Sequence, residues 1–218
     1  MKKILFIESS PRKTDSITSD VANRLIKQLK YSDEYELEIL DLWNAELPHM
    51  NGSTLSAKYA IFSGSPLSDE QNISWQKLNE YVKQFANADL IIMSSPMWNW
   101  GIPYVLKHYI DVITQPGLTF NWTPEDGYIP LLPKRDVVVV TSSGGDYTKG
   151  SGLEHEDFAY RYLKLWLEGC MGSHVNFIHM TMTATGQDAI DKAFENANYE
   201  ISQVVDTLKP AKVEVQML

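Results

Sequence analysis

Short apolar runs rich in β-branched residues alternate along this chain with longer amphipathic stretches. Residues 3–8, 36–41, 89–94, 136–142 and 175–179 read as strands. The run Val137-Val138-Val139-Val140 is apolar at successive positions, the pattern of a parallel strand covered on both faces. Between the strands, residues 16–29 place Val21, Leu25, Ile26 and Leu29 on one helical face, and 104–114 does the same with Val105, Leu106, Tyr109, Val112 and Ile113. Residues 69–86, 154–168 and 187–208 predict three further helices. Five strands with intervening helices predict an α/β fold, a doubly wound five-stranded parallel sheet with helices on both faces. Residues 48–67 carry Pro, Gly and Ser with little periodicity and read as a long excursion or a partly helical insertion. Residues 1–210 are expected to form a single domain, and 211–218 an extended tail.

Composition narrows the partners. A chain of 218 residues that is 44% hydrophobic has enough apolar surface for one substantial core. A formal charge of −9 repels nucleic acid and anionic membrane alike, so soluble partners are expected. The single cysteine, Cys170, forms no internal disulfide, no apolar stretch reaches membrane-spanning length, and the first residues lack a signal-peptide layout. A cytoplasmic protein is the expectation. The five histidines show no H-E-x-x-H spacing and Cys170 has no partner cysteine, so no metal site is expected. No G-x-S-x-G elbow supports a hydrolase.

The chemistry concentrates where strands one, three and four end. After the first strand comes Ser9-Ser10-Pro11-Arg12-Lys13-Thr14-Asp15-Ser16-Ile17-Thr18, rich in hydroxyls and without glycine. A phosphate at the following helix start would meet open N–H groups and the positive dipole end, with Ser10, Ser16 and Thr18 adding hydroxyls. The simpler reading is that Asp15 or Ser16 only caps the helix. The dinucleotide and P-loop glycine patterns are both absent, which favours a terminal monophosphate. Arg12 and Lys13 either assist the phosphate or are solvated.

The third strand leads into Ser95-Pro96-Met97-Trp98-Asn99-Trp100-Gly101-Ile102-Pro103. Two indoles, a thioether and an amide suit a flat aromatic ligand, although Trp98 and Trp100 alternatively fill the core. After the valine strand comes Thr141-Ser142-Ser143-Gly144-Gly145-Asp146-Tyr147, whose paired glycines either form an ordinary turn or aim backbone N–H groups at a ligand. Phosphate donors, a stacking surface and a backbone nest together describe a site for flavin mononucleotide.

The ordered blocks Pro96-Met97-Trp98-Asn99-Trp100, Leu106-Lys107-His108-Tyr109-Ile110-Asp111, Gly117-Leu118-Thr119-Phe120 and Thr141-Ser142-Ser143-Gly144-Gly145 also carry a family resemblance over nearly the whole chain. The sequence resembles the FMN-dependent NADH azoreductases and related quinone reductases of flavodoxin-like fold. By that resemblance Ser10, Ser16, Ile17 and Thr18 bind the FMN phosphate, Thr18 keeping a hydroxyl where the family commonly has Ser. Pro96, Met97, Trp98, Asn99 and Trp100 line the ribityl chain and ring, and Ser142, Ser143, Gly144, Gly145 and Tyr147 hold the pyrimidine edge. The resemblance implies two-step hydride transfer from NADH or NADPH through FMN to a quinone or azo compound, by ping-pong kinetics and with no catalytic side chain assigned. It also implies a homodimer with Phe120 in the substrate pocket wall, a residue that equally suits the core. The competing class is a flavodoxin-type FMN-binding electron carrier without nicotinamide oxidation, which shares fold and phosphate site.

Overall fold

A computed structural model of the chain describes residues 1–29 and 34–208. The expected tail lies outside the described residues. Strands β1 (Lys2–Glu8), β2 (Tyr35–Asp41), β3 (Leu90–Pro96), β6 (Asp136–Ser142) and β7 (His174–Met180) form one sheet in the order β2-β1-β3-β6-β7. Every pairing in this sheet is parallel. The chain leaves β1 toward β2 and later returns on β1's other side as β3, so adjacent connections diverge at the carboxyl ends of β1 and β3. That divergence opens the crevice where α/β sheets bind ligands.

Strand alternation builds two cores. Ile4 and Phe6 of β1, with Ile92 and Val138, face α1 (Ile17–Leu29) and α6 (Gln187–Leu208), which contribute Val21, Leu25, Ala197 and Ile201. Leu5 and Ile7, with Ile91 and Val137, face α3 (Asp69–Ala86) and α4 (Tyr104–Ile113), where Leu78, Phe85, Leu106 and Tyr109 are buried. Each such large apolar side chain removed from water contributes about 1.5–3 kcal/mol before the entropy of ordering is subtracted. The helix starts have local causes: Ser68 and Gln71 form a reciprocal capping box at α3.

The structure settles one alternative, corrects one helix and adds a hairpin. Residues 48–67 contain α2 (Gly52–Phe62), begun by the Asn51 side chain accepting the Thr54 N–H at 3.0 Å, so the partly helical alternative holds. Residues 154–168 are not one helix: a short turn at Glu154–Glu156 is followed by α5 (Phe158–Lys164) and a wider π-type stretch, Leu165–Cys170. The Asp157 carboxylate accepts the Tyr160 N–H at 2.7 Å and starts α5 afresh, a bond that amphipathic spacing does not encode. The segment after α4 folds into an antiparallel hairpin, β4 (Phe120–Thr123) and β5 (Gly127–Pro130), which periodicity missed because each arm has only four residues. No helix among the described residues is long and apolar enough to cross a membrane.

Candidate functional site

Ser9 follows β1 directly, and both its N–H (3.2 Å) and its hydroxyl (2.6 Å) donate to the Ser94 carbonyl. The start of the phosphate loop is thereby tied to the end of β3. Ser10, Ser16 and Thr18 are all buried at this edge. The Ser16 and Thr18 hydroxyls lie 3.1 Å apart, and Ser16 Oγ accepts the Ser19 N–H at 3.3 Å. Ser16 therefore does cap α1. The cap leaves other donors open, because the Ile17 and Thr18 amides donate to no acceptor among the described residues. Two open amides and a hydroxyl pair at a dipole's positive end are a donor set that suits an anion.

Lys13 resolves differently from either sequence reading. Its backbone is left-handed (φ 50°), and its ammonium is bonded to Glu8 at 3.1 Å and to Asp41, clamping the ends of β1 and β2. Burial alone would lower the Lys13 pKa, but hydrogen bonds to Asp41 and Glu8 outweigh it and hold the ammonium charged. Lys13 is engaged, whereas Arg12 is exposed. Trp43, just past β2, was missed by sequence reasoning; its indole N–H donates to the Ser9 carbonyl at 2.9 Å. Its ring packs on Trp98 (centroids 5.9 Å apart) and edge-on to Tyr104 (5.4 Å), joining the phosphate loop to the aromatic loop. Its position two residues beyond a strand's carboxyl end was the available signal.

In the aromatic loop Trp98 and Gly101 exchange two backbone hydrogen bonds, of 2.9 and 3.0 Å. The two residues between them, Asn99 (φ 49°) and Trp100 (φ 64°), are both left-handed, as a tight two-residue hairpin turn demands. Trp100 and Asn99 are exposed and Trp98 is half-buried, so neither indole is a core residue. The Met97 N–H donates to Ser142 O at 2.7 Å and the Ala159 N–H to Trp100 O at 3.0 Å, fixing both ends of the turn.

In the loop after β6 the Ser143, Gly144 and Gly145 carbonyls are used while four amides stay open. Gly145 O accepts from Ser143 Oγ (2.8 Å) and Met182 N (3.2 Å), and Gly144 O accepts from Ala184 N (3.4 Å). The amides of Gly144, Gly145, Asp146 and Tyr147 donate to nothing among the described residues. Both glycines sit where a side chain would be crowded. A Cβ at Gly144 would lie 3.2 Å from the Ala184 side chain, and one at Gly145 would lie 3.3 Å from the Tyr147 ring. Among the described residues, every non-glycine residue with positive φ lies at this edge of the sheet: Lys13, Asn99, Trp100 and Met182. Such strain persists where surrounding structure enforces it, and it clusters at functional sites.

The structure thus brings Ser10, Ser16, Ile17, Thr18, Pro96 to Trp100, and Ser142 to Tyr147 to the carboxyl edge on three adjacent strands. Phe120 is elsewhere. It is buried against Tyr128 (centroids 5.2 Å apart) and lines a separate pocket of about 210 Å³ with Ile110, Trp166 and Cys170. Within the single chain it packs as part of the apolar core. Cys170 sits in the same pocket, its thiol pushed up to about 11 by burial.

The donor set suits a ligand that is anionic at one end, flat in the middle and electron-rich at its far edge. Buried hydroxyls without a protein partner, Ser19 Oγ, Ser94 Oγ and Ser95 Oγ, lie at the same edge and are the kind of group a ligand or water satisfies. FMN has these three parts in this order, and the residues fit it.

Residues 2–205 match the family model described as flavodoxin-like fold. An FMN-dependent NADH:quinone oxidoreductase of Desulfotalea psychrophila is 39% identical over 92% of this chain and 94% of that protein. FMN-dependent NADH:quinone oxidoreductase 1 of Bradyrhizobium diazoefficiens is 33% identical over 94% and 98% of the two chains. The solved structure of an FMN-dependent NADH-azoreductase from Bacillus anthracis in complex with FMN superposes with a TM-score of 0.85. It is 25% identical in sequence, and the match covers 96% of this chain and all 100% of that one.

Proposed function

The chain belongs to the flavodoxin-like-fold family, and from that membership we propose that it is an FMN-dependent NAD(P)H:quinone oxidoreductase that also accepts azo compounds. The observation that carries this reading is the crowding of open N–H donors and strained non-glycine residues at one edge of the sheet. Bound FMN supplies the hydride-accepting and hydride-donating chemistry. The protein supplies position. The amides of Ile17 and Thr18, with the hydroxyls of Ser10, Ser16 and Thr18, hold the phosphate. Pro96, Met97, Trp98, Asn99 and Trp100 line the ribityl chain and ring. Ser142, Ser143, Gly144, Gly145 and Tyr147 hold the pyrimidine edge, where the free amides stabilise negative charge on the heterocycle. No side chain is assigned as acid or base.

Nicotinamide donor and acceptor occupy the same side of the ring in turn, which makes the kinetics ping-pong. With Lys13 clamped by two carboxylates, Arg12 alone remains in this loop to meet a 2′-phosphate. A homodimer is part of the reading. It is supported by exposed Trp100, Tyr104, Phe158 and Leu165, and by an apolar cleft of about 1000 Å³ lined by Ile102, Phe158 and Leu165. The lone buried cysteine suits the reducing cytoplasm. Steady-state oxidation of NADH and of NADPH by the FMN-loaded protein, at several quinone concentrations, tests the function. Parallel double-reciprocal lines are expected; intersecting lines reject the shared site, and flavin-loaded protein that oxidises neither nucleotide is a carrier.

A further inference from the structure

Behind the loop assigned to the pyrimidine edge lies a group of side chains that the proposed function does not use. His179, the next-to-last residue of β7, stands directly across from Thr141 of β6 in the parallel register, and its Nδ1 lies 2.9 Å from Thr141 Oγ1. Thr141 immediately precedes Ser142, and the next residue of β7, Met180, accepts the Ser143 N–H through its carbonyl at 2.9 Å. The ring is wedged between aromatic neighbours, stacked on Phe177 (centroids 5.8 Å apart, planes 8° apart) and tilted against Tyr160 (5.6 Å).

His179 also reaches toward the aromatic turn. It shares a small cavity of about 10 Å³, roughly the room for one water, with Met97, Ser142, Ser143, Tyr147 and Asp157. Asp157 is the buried carboxylate that starts α5, and α5's Ala159 N–H holds Trp100 O. One imidazole therefore borders both the backbone that grips the pyrimidine edge and the cap that anchors the left-handed turn.

We propose that His179 is a positioning residue for the flavin site: neutral, it holds Thr141 and the Ser142–Gly145 backbone in the binding geometry, and charged, it loosens that geometry. The proposal rests on the flavin reading of this edge. Its physical basis is competition, because an imidazolium beside Asp157 draws on the carboxylate that the Tyr160 N–H now uses, and loosens the start of α5.

The titratable neighbours come from each packed element. Asp146 and Tyr147 lie in the loop after β6, with Asp146 occupied by the Thr148 N–H and hydroxyl at 2.9 and 2.6 Å. From α5 come Asp157 and Tyr160, whose hydroxyl accepts from Lys164 at 3.4 Å. Glu200 of α6 accepts the His179 backbone N–H at 3.3 Å. Burial lowers the His179 pKa below its ordinary 6.5, opposed by Asp157 and then Asp146. The charged form therefore accumulates only below pH 6.5, and binding that needs the neutral form weakens as pH falls through that region.

Riboflavin is the probe, since the FMN phosphate titrates near pH 6 and would mask the effect. The wild-type protein is stripped of flavin and the His179 ring is followed by NMR between pH 5 and 8, with and without saturating riboflavin. By reciprocity, riboflavin should move the His179 midpoint to lower pH, and its affinity should fall about fivefold from pH 7.5 to pH 5. In His179→Gln, which can still bond Thr141, the affinity at pH 7.5 should persist and the pH dependence should vanish. In Asp157→Asn, which removes the carboxylate that the charged ring draws on, the pH dependence should shrink, and an undiminished dependence there would also count against the inference. An unchanged His179 midpoint on riboflavin saturation overturns the inference, as does an undiminished pH dependence in His179→Gln. Failure of both FMN and riboflavin to bind overturns the flavin assignment itself.

Discussion

The two ends of the sheet treat buried polar groups in opposite ways. At the amino end, Arg135 precedes β6 and is 7% exposed, and its Nη1 and Nε are spent on the protein itself, while Nη2 is buried without a hydrogen-bond partner. Its Nη1 donates to the carbonyls of Phe85, Ala86 and Ala88 around the end of α3, and its Nε donates to Pro133 O at 3.2 Å. Its plane also lies over the Phe85 ring at 5.6 Å. At the carboxyl end, the amides of Ile17, Thr18, Gly144 and Gly145 are left open, while the carbonyls of the second loop are used to brace it. A charge whose donors meet helix-terminal carbonyls is a structural device. Donors left open on loops that neighbour strained backbone are an arrangement that suits a ligand from outside the chain.

Substitutions should separate the two ends. The largest effect is expected for Arg135→Met, which removes a donor from four carbonyls and should cost about 3–5 kcal/mol of folding stability in denaturant titration. The FMN affinity of the protein that remains folded should be unchanged; a matching loss of affinity would erase the distinction between the ends. Ser16→Ala and Thr18→Ala should each weaken FMN binding by about 1.5–3 kcal/mol, less than additively when combined because the two hydroxyls touch. Riboflavin affinity should barely move, and stability should fall by about 1 kcal/mol for the lost cap. A parallel loss of FMN and riboflavin would reduce both residues to helix formation. Trp43→Phe keeps an aromatic ring but removes the N–H that bonds Ser9 O, so FMN and riboflavin should weaken together by about 1 kcal/mol. An effect on FMN alone would make Trp43 a phosphate-loop residue only.

Periodicity exposed the parts of the fold set by burial on a whole face. The bounds expected for β6, α3 and α6 are the observed ones, since each has an uninterrupted apolar run or stripe. The break at Asp157 was hidden because one carboxylate, not a change of period, restarts the helix. Hydroxyls and paired glycines made the three loops visible as candidates, but the reasons they work are tertiary. Gly144 and Gly145 sit closely against Ala184 and Tyr147, and Lys13 is withdrawn by Glu8 and by Asp41 from a neighbouring strand. His179 and Trp43 looked like ordinary strand and loop residues because their partners lie tens of residues away. Phe120 matched a block in the right order, and its packing against Tyr128 within the hairpin was not legible because it depends on strand pairing.

The claim that the open donors at the carboxyl edge hold FMN is tested most directly by residue-resolved amide NMR of the flavin-free protein during FMN addition. The amides of Ile17, Thr18, Gly144 and Gly145 should shift and gain protection from exchange at one FMN per chain, while those around Arg135 and the end of α3 stay unchanged. Stoichiometric FMN binding that leaves those four amides unshifted, or that shifts the amino edge instead, would contradict the account.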